Sequence, residues 1–423
     1  MADVQPLRAL HYDLSVVGSL TDVVAPPYDV IDAGQRAELL KRSPYNVVAV
    51  DLPEGEPDKY AAASELFETW QLQGALRSDR EPALWAHTQD YTGVGGTSSN
   101  ETRTRRGFFC RVRIEDYGPG RVRPHERTHP GPKEDRLRLT RATRANISPI
   151  FSLYSDPSGA AWDALEPATE QAPWGEVSDS DGTVHRLWRV SDPRAIAAAQ
   201  EATRDAELLI ADGHHRYETM KTYAEEIGGE GDHRYILMCL VALEDPGLTV
   251  FPTHRLVRGL DDQRWEALAQ ALRRDFEVAE VPVDQIAPPA DEGPLLQLGY
   301  IDTRDQRALR LTLKDQAIAD AALAGHSEAY RRLDTGVLET LLLKGALGLS
   351  DEDISHFNGL FYARDTAEAL ALVRSGEYDA AFVMRPTPVG QVREIAAAGE
   401  NMPPKSTYFF PKLLTGLLFN PLS

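Results

Sequence analysis

Apolar residues fall into two rhythms along this chain, and each rhythm implies its own kind of element. Over Ala33–Arg42 and Lys59–Gln71 they return every third or fourth position, as a helix with one buried face requires. The second of these groups Leu66, Phe67 and Trp70 on one side and closes at Gly74. Pro193–Thr203 is alanine-rich and helical, Tyr217–Ile227 stops at Gly228-Gly229, and Gln263–Asp275 and Gly336–Leu347 complete the helical set. Short apolar runs predict strands at Asn46–Leu52, Pro82–Gln89, Gly107–Ile114, His185–Val190, Glu207–Ile210, Arg234–Leu243 and Leu248–Leu256. The last two, joined by Glu244-Asp245-Pro246-Gly247, read as adjacent strands across a tight turn. Gly93–Asn100 and Asp156–Asp181 read as loops. Past Leu260 the spacing predicts a hairpin from Leu295–Ile301 and Ala308–Leu313, then a strand–helix–strand over Phe361–Tyr362, Thr366–Ser375 and Ala380–Met384. Helices interleaved with strands give a mixed α/β (α+β) fold. Three segments are expected: an N-terminal α/β part over 1–100, a core over 101–260 and a C-terminal α/β domain over 261–423.

Composition narrows the function. At 42% hydrophobic and 26% charged the chain is not of the disordered class. No stretch approaches the length of a bilayer span, and the start lacks a basic residue pair followed by an apolar run, so neither membrane nor signal peptide is expected. Cys110 and Cys239 lie inside apolar strand-like runs; two cysteines make no disulfide framework and fit a reducing compartment, so a cytoplasmic location is expected. A net charge of −20 argues against nucleic acid as a partner. Yet Glu101–Ala145 holds thirteen Lys and Arg against six Asp and Glu. Such an island suits focused capture of a small anion. The competing reading is a solvated face paired with acidic neighbours.

The densest chemistry follows the strand ending at Ile210. Ala211-Asp212-Gly213-His214-His215-Arg216 puts a tight Asp-Gly turn at the start of a helix. There the first amides lack intrahelical partners and the macrodipole is positive, which favours an anion. Gly213 permits close backbone approach, and Arg216 adds a bidentate phosphate contact. His214 and His215 point about 100° apart on a helix. His215 would orient phosphate or protonate a leaving oxygen.

A second group lies in Arg123-Pro124-His125-Glu126-Arg127-Thr128-His129, followed by Lys133, Arg136, Arg141 and Arg144. Its prolines predict a structured loop rather than a helix. His125, Glu126 and His129 could serve a metal or a base, while Lys133, Arg136, Arg141 and Arg144 could hold phosphate, with His125 and His214 also candidates to contact phosphate or substrate. Phosphoryl transfer to a hydroxyl mainly needs positioning, charge neutralisation and a carboxylate to take the proton, here Glu126 or Asp212. The same two carboxylates are the candidate metal ligands. His254 and Arg255 end a strand and could reach the same pocket, and Lys405 could close over a ligand. A non-catalytic nucleotide sensor and a metal-dependent phosphohydrolase using His125, Glu126, His129, His214 and Asp212 are the alternatives.

Asp212-Gly213-His214-His215-Arg216 after a strand resembles the phosphate-binding box of the ParB/sulfiredoxin superfamily, whose members hold nucleotides at a helix start. It is similar to the Asp-Gly-x-His-Arg box of the free-serine kinases. Sulfiredoxins carry their reactive cysteine where this chain has His214, so sulfinic-acid reduction is not implied. Over its length the chain resembles a bacterial and archaeal family known as domain of unknown function 1015. Four segments carry that likeness: Ala25-Pro26-Pro27-Tyr28-Asp29-Val30-Ile31, His125-Glu126-Arg127-Thr128, Ala211 to Tyr217, and Met402-Pro403-Pro404-Lys405-Ser406-Thr407-Tyr408-Phe409. The resemblances imply a ParB/sulfiredoxin-like core, ATP or ADP with Mg²⁺ as cofactors, and a small phosphorylated metabolite or nucleotide as partner, with serine or phosphoserine as substrate.

Overall fold

In the computed structural model, residues 2–92, 101–126, 128, 130–290, 293 and 295–422 are described; Gly93–Asn100 and His129 lie outside them. Alternation along the longest strands explains the first sheet. In β3 (Thr102–Arg113) Phe109 faces one apolar cluster and Phe108 and Cys110 face another; in β2 (Leu84–Thr92) Trp85 divides from Leu84 and Ala86 in the same way. Period-two burial on both faces needs cover on both sides. Helices α1 (Ala33–Arg42) and α3 (Lys59–Leu72) bury Leu39, Phe67 and Trp70 in the first cluster. Helices α6 (Pro193–Thr203) and α7 (His214–Ile227) bury Ala199, Tyr217, Met220 and Tyr223 in the second. Each large side chain so buried stabilises the fold by about 1.5–3 kcal/mol.

The remaining strands of this nine-stranded sheet are β1 (Val4–Gln5), β4 (Val122–Arg123), β5 (Ile150–Tyr154), β6 (Gly175–Ser178), β7 (Val184–Val190), β8 (Leu208–Asp212) and β9 (Tyr235–Ala242). Their order is β4-β8-β5-β9-β3-β2-β7-β6, with β1 added to β3. Among the described strands of this sheet only β4/β8 and β5/β9 pair in parallel. A second, antiparallel sheet of six strands contains β10 (His254–Val257), β14 (Leu360–Ala363) on its edge, and the expected hairpin β12 (Gln297–Asp302) and β13 (Leu309–Leu313). The final segment then returns to the first sheet. Tyr408–Phe410 pairs with Thr249–Phe251, Phe409, Leu417 and Phe419 are buried in its core, and Asn420 pairs with Asn146. The fold is mixed α/β, as the alternation of elements implied. No helix among the described residues is long and apolar enough to cross a membrane.

Four local expectations are corrected. Asn46–Leu52 is not a strand: Val48–Asp51 forms a helical turn whose Val48 amide bonds Asn46 Oδ1, while Asn46 Nδ2 donates to the carbonyls of Asp22 and Val24. Burial of Val47, Val48 and Val50 on all sides removes the alternation that a strand would need. The proline-rich basic stretch is helix α4 (Pro130–Thr143), because prolines in a first helical turn sacrifice only amides that lack partners anyway. Asp156–Asp181 contains a helix at Ala160–Leu165 and the strand β6. Leu248–Leu256 is broken at Pro252 into two strands of different sheets, neither paired with β9.

Candidate functional site

Two parallel neighbours set the site. β4 and β8 run in register, Val122 opposite Leu208 and Arg123 opposite Leu209, and each leads into a helix, α4 and α7, that packs on the other. The crevice beyond the carboxyl ends of parallel strands is where open α/β sheets take ligands. His125 and Glu126 follow β4; Asp212 and Gly213 end β8 and open α7.

Gly213 is the N-cap of α7 at φ +103°, a left-handed conformation that other residues rarely adopt. A Cβ there would lie 3.0 Å from Arg216 Nε and 3.1 Å from its Cζ, because the guanidinium folds back over the turn. The N-cap supplies no side-chain hydrogen bond, so the positive end of α7 faces a cavity of about 210 Å³. All four segments named from the sequence line this cavity: Tyr28 and Asp29, Glu126, Asp212 to Arg216, and Lys405, Thr407 and Tyr408.

Asp212 bonds two cations at once and cancels the charge of only one. Its Oδ2 accepts from Arg216 Nη2 at 2.8 Å and its Oδ1 from Lys412 Nζ at 3.2 Å. Burial works to raise the Asp212 pKa, but Lys412 and Arg216 hold the carboxyl well below the usual carboxylate range. A carboxylate so stabilised is a poor proton acceptor, and the two cations beside it oppose the approach of a third. Arg216 Nη1 also donates to Ser148 Oγ at 2.9 Å and to the Pro149 carbonyl. Arg216 is therefore braced in place at the cavity wall.

The two buried histidines are scaffolding. His125 Nδ1 lies 2.7 Å from the Ile210 carbonyl, which only accepts, so Nδ1 carries the proton and Nε2 accepts from the Thr407 hydroxyl at 3.0 Å. His214 Nε2 accepts the His125 backbone N–H at 3.3 Å, and the rings meet edge to face at 4.6 Å. Burial pushes the pKa of both downward, which keeps them neutral. Both lone pairs point at protein donors, so the pair does not form the metal site expected for a hydrolase. Among the described residues no group of three His, Cys, Asp or Glu is placed to hold a metal ion.

Residues 4–336 match the protein family described as "Protein of unknown function (DUF1015)". The chain belongs to that family. No curated protein matches this DUF1015 chain. Among solved structures it is similar to a conserved hypothetical protein from Pyrococcus furiosus, at 15% identity and a TM-score of 0.37 over 73% of this chain and 95% of that one. It is also similar to a free serine kinase in complex with AMP, at 14% identity and a TM-score of 0.39 over 73% of this chain and 92% of that one. A third likeness is to SbnI from Staphylococcus aureus, truncated at its C-terminus, at 12% identity and a TM-score of 0.37 over 73% and 85% of the two chains.

Glu126 and Lys405 approach each other from opposite walls of the DUF1015 cavity. Glu126 Oε1 accepts the Lys405 N–H at 3.3 Å, and the Met402 amide bonds the His125 carbonyl at 2.8 Å. His215 also lines the cavity. Other expected residues stand elsewhere. Lys133 lies on α4 off the cavity wall, its carbonyl 3.4 Å from Thr219 Oγ1. Arg136 is buried against Asp51 and Asp135 and covers the Tyr28 ring. His254 Nδ1 accepts the Met384 N–H and its Nε2 meets the Thr366 hydroxyl, so it ties the second sheet together. Arg255 bonds backbone carbonyls behind the cavity. Among the described residues six of the island's thirteen cations sit in ion pairs: besides Arg136, these are Arg106 with Asp245, Arg111 with Asp232, Arg113 with Glu230, Arg123 with Glu207 and Arg141 with Glu226. That part of its charge is balanced locally, and the cations that line the cavity come from other segments.

Two of the cavity cations were not singled out from the sequence. Lys412 reaches the cavity from the returning C-terminal segment, and Arg364 arrives just past β14, over the Tyr408 ring. A lone lysine inside the apolar run Phe409–Leu414 was a usable signal for Lys412. Arg364 and Tyr362 left none, since only pairing of β14 beside β10 brings them there.

Proposed function

We propose that this cavity binds a nucleoside polyphosphate and transfers its terminal phosphoryl group to the hydroxyl of a small metabolite. The observation that carries the reading is the uncapped start of α7 facing the same cavity as Arg216, Lys412, Lys405 and Arg364. Backbone amides and four cations around one cavity suit several phosphate oxygens rather than a single carboxylate. Serine is the acceptor that the likeness of the Asp-Gly-His-His-Arg box to the free-serine kinases implies.

In this reading the amides of Gly213 to His215 cradle phosphate, and His215 orients it. Arg216 and Lys412, themselves aligned by Asp212, take up charge that builds on the transferred group. Glu126 replaces Asp212 as base, since it faces the cavity without a cation on its carboxylate among the described residues. It accepts the acceptor's hydroxyl proton as that oxygen bonds to phosphorus, and the bond to the leaving phosphate oxygen breaks with its electron pair. Mg²⁺ commonly binds through one or two carboxylates plus substrate phosphates. Asp29 fits such an ion arriving with the nucleotide and leaves Glu126 free to act as base; Asp212, held by two cations, does not. Within the nucleotide-bound state the ion would neutralise phosphate charge.

The test is direct. Purified chain with Mg²⁺ and either ATP or ADP is incubated with an amino-acid panel and followed by ³¹P NMR. A phosphomonoester signal that grows with serine supports the reading; turnover with none of the panel contradicts it.

A further inference from the structure

Two arginines stand apart from the rest of the molecule. Arg105 and Arg255 are 1% and 3% exposed, and among the described residues neither pairs with a carboxylate. A buried guanidinium ordinarily requires such a partner, as Arg136 has in Asp51 and Asp135. If the two sites needed only volume, a methionine would fill them without the desolvation cost.

What they do instead is alike. Arg105 donates from Nη2 to the Pro411 carbonyl at 2.6 Å, and its neighbour across the strands, Gln89, donates to the Lys412 carbonyl at 3.0 Å. Gln89 is itself locked by Arg105 Nε at 2.9 Å. Arg255 donates from Nη2 to the carbonyls of Pro404 at 3.3 Å and Lys405 at 3.1 Å, and from Nη1 to Thr253. Each guanidinium lies over an aromatic ring, Phe151 at 4.4 Å and Tyr362 at 5.2 Å. Arg255 therefore grips the backbone of Lys405 directly, and Arg105 holds that of Lys412 through the preceding Pro411 carbonyl and through Gln89. Lys405 needs that grip, because it sits at φ +56°, a conformation that costs a side-chain-bearing residue on the order of 1–2 kcal/mol. One nitrogen of Arg105, Nη1, is buried with no hydrogen-bond partner among the described residues. Its charge is thus not cancelled where it lies.

We propose that Arg105 and Arg255 are positioning residues of the cavity, Arg255 fixing Lys405 by its carbonyl and Arg105 fixing Lys412 through the Pro411 carbonyl and Gln89, each adding a buried charge without a directly paired carboxylate that favours polyanionic ligands. The ligand preference rests on the nucleotide reading above; the grip on the lysines does not. Burial lowers the pKa of Arg105 to about 10 and that of Arg255 in the same direction, which leaves both charged at neutral pH.

Two measurements on the full chain separate the claims. With ¹³C-lysine label, and signals assigned through K405R and K412R, R105M is expected to shift the Lys412 side-chain resonance and leave Lys405 in place, with the converse for R255M. Titration with AMP, ADP and ATP is expected to show a graded loss in both variants, about tenfold for ATP and under about threefold for AMP, since a missing charge acts in proportion to ligand charge. If R105M does not fold, R105K, which keeps the charge and part of the grip, is expected to move the Lys412 signal while retaining the preference for ATP over AMP. Unmoved lysine signals, or an equal loss for AMP and ATP, overturn the proposal. Failure of the unaltered chain to bind any of the three nucleotides contradicts the nucleotide reading instead, and the lysine signals still decide the grip.

Discussion

Lys412 Nζ lies 3.2 Å from Asp212 Oδ1, although 200 positions separate the two in the chain. This contact fastens the returning C-terminal segment onto the turn that opens α7, and it leaves Asp212 shared between two cations. Lys412→Met keeps the apolar stem but removes the charge. Nucleotide affinity is expected to fall about tenfold, the worth of one charge-assisted contact. Calorimetric titration with ADP checks this, and an unchanged affinity would place the phosphates elsewhere.

Gly213 carries a backbone requirement and a steric one together. Gly213→Ala must hold an L residue at φ +103° and bring its Cβ within about 3 Å of the Arg216 guanidinium. The variant is expected to lose about 1–3 kcal/mol of stability by urea unfolding, with ADP binding lost more steeply than stability. Retention of full affinity would mean that Arg216 and the turn do not act together.

Glu126→Gln preserves the acceptor for the Lys405 amide, because a carboxamide oxygen replaces the carboxylate oxygen there. Nucleotide affinity is expected to hold within about twofold while kcat falls by about 10²–10⁴, the usual contribution of a positioned base. A fall in affinity with kcat intact would instead assign Glu126 to binding.

The buried histidines set an acid limit. Burial lowers His254 to about 4 from its ordinary 6.5, and His125 and His214 shift the same way. Because the unfolded chain binds the proton more readily, this contribution is complete above pH 6.5 and is lost as pH falls toward 4. His254 alone accounts for on the order of 3 kcal/mol across that window. Urea unfolding at pH 7.5, 6 and 5 should show a steady decline, reduced in His254→Gln; a flat profile contradicts the neutral, buried assignment.

Much of the site was legible because it is local. A strand, an Asp-Gly turn and a helix start within a few residues specify Gly213 and Arg216 without reference to the rest of the chain. The long-range parts were not. Asp212 reads as a candidate base until Lys412 and Arg216 are seen on its two oxygens. His125 and His214 read as ligands until the Ile210 carbonyl, the Thr407 hydroxyl and the His125 amide occupy their nitrogens. For the basic island, anion capture and local pairing stayed open in the sequence because its partners, Asp232, Glu230, Glu207 and Glu226, come from distant segments. In the fold, helices with a clear apolar face, such as Ala33–Arg42 and Pro193–Thr203, matched to the residue. Asn46–Leu52 failed because its valines are buried on every side, so side-chain capping by Asn46 outweighed strand propensity.

The central claim is that the opening of α7 receives phosphate. A titration of the ¹⁵N-labelled chain with ADP and Mg²⁺, read at the backbone amides of Gly213, His214 and His215, tests it most directly. The account predicts that these three signals move together with the side-chain signals of Arg216 and saturate at one equivalent. Saturable binding that leaves all of them in place while shifting amides of another surface would contradict it.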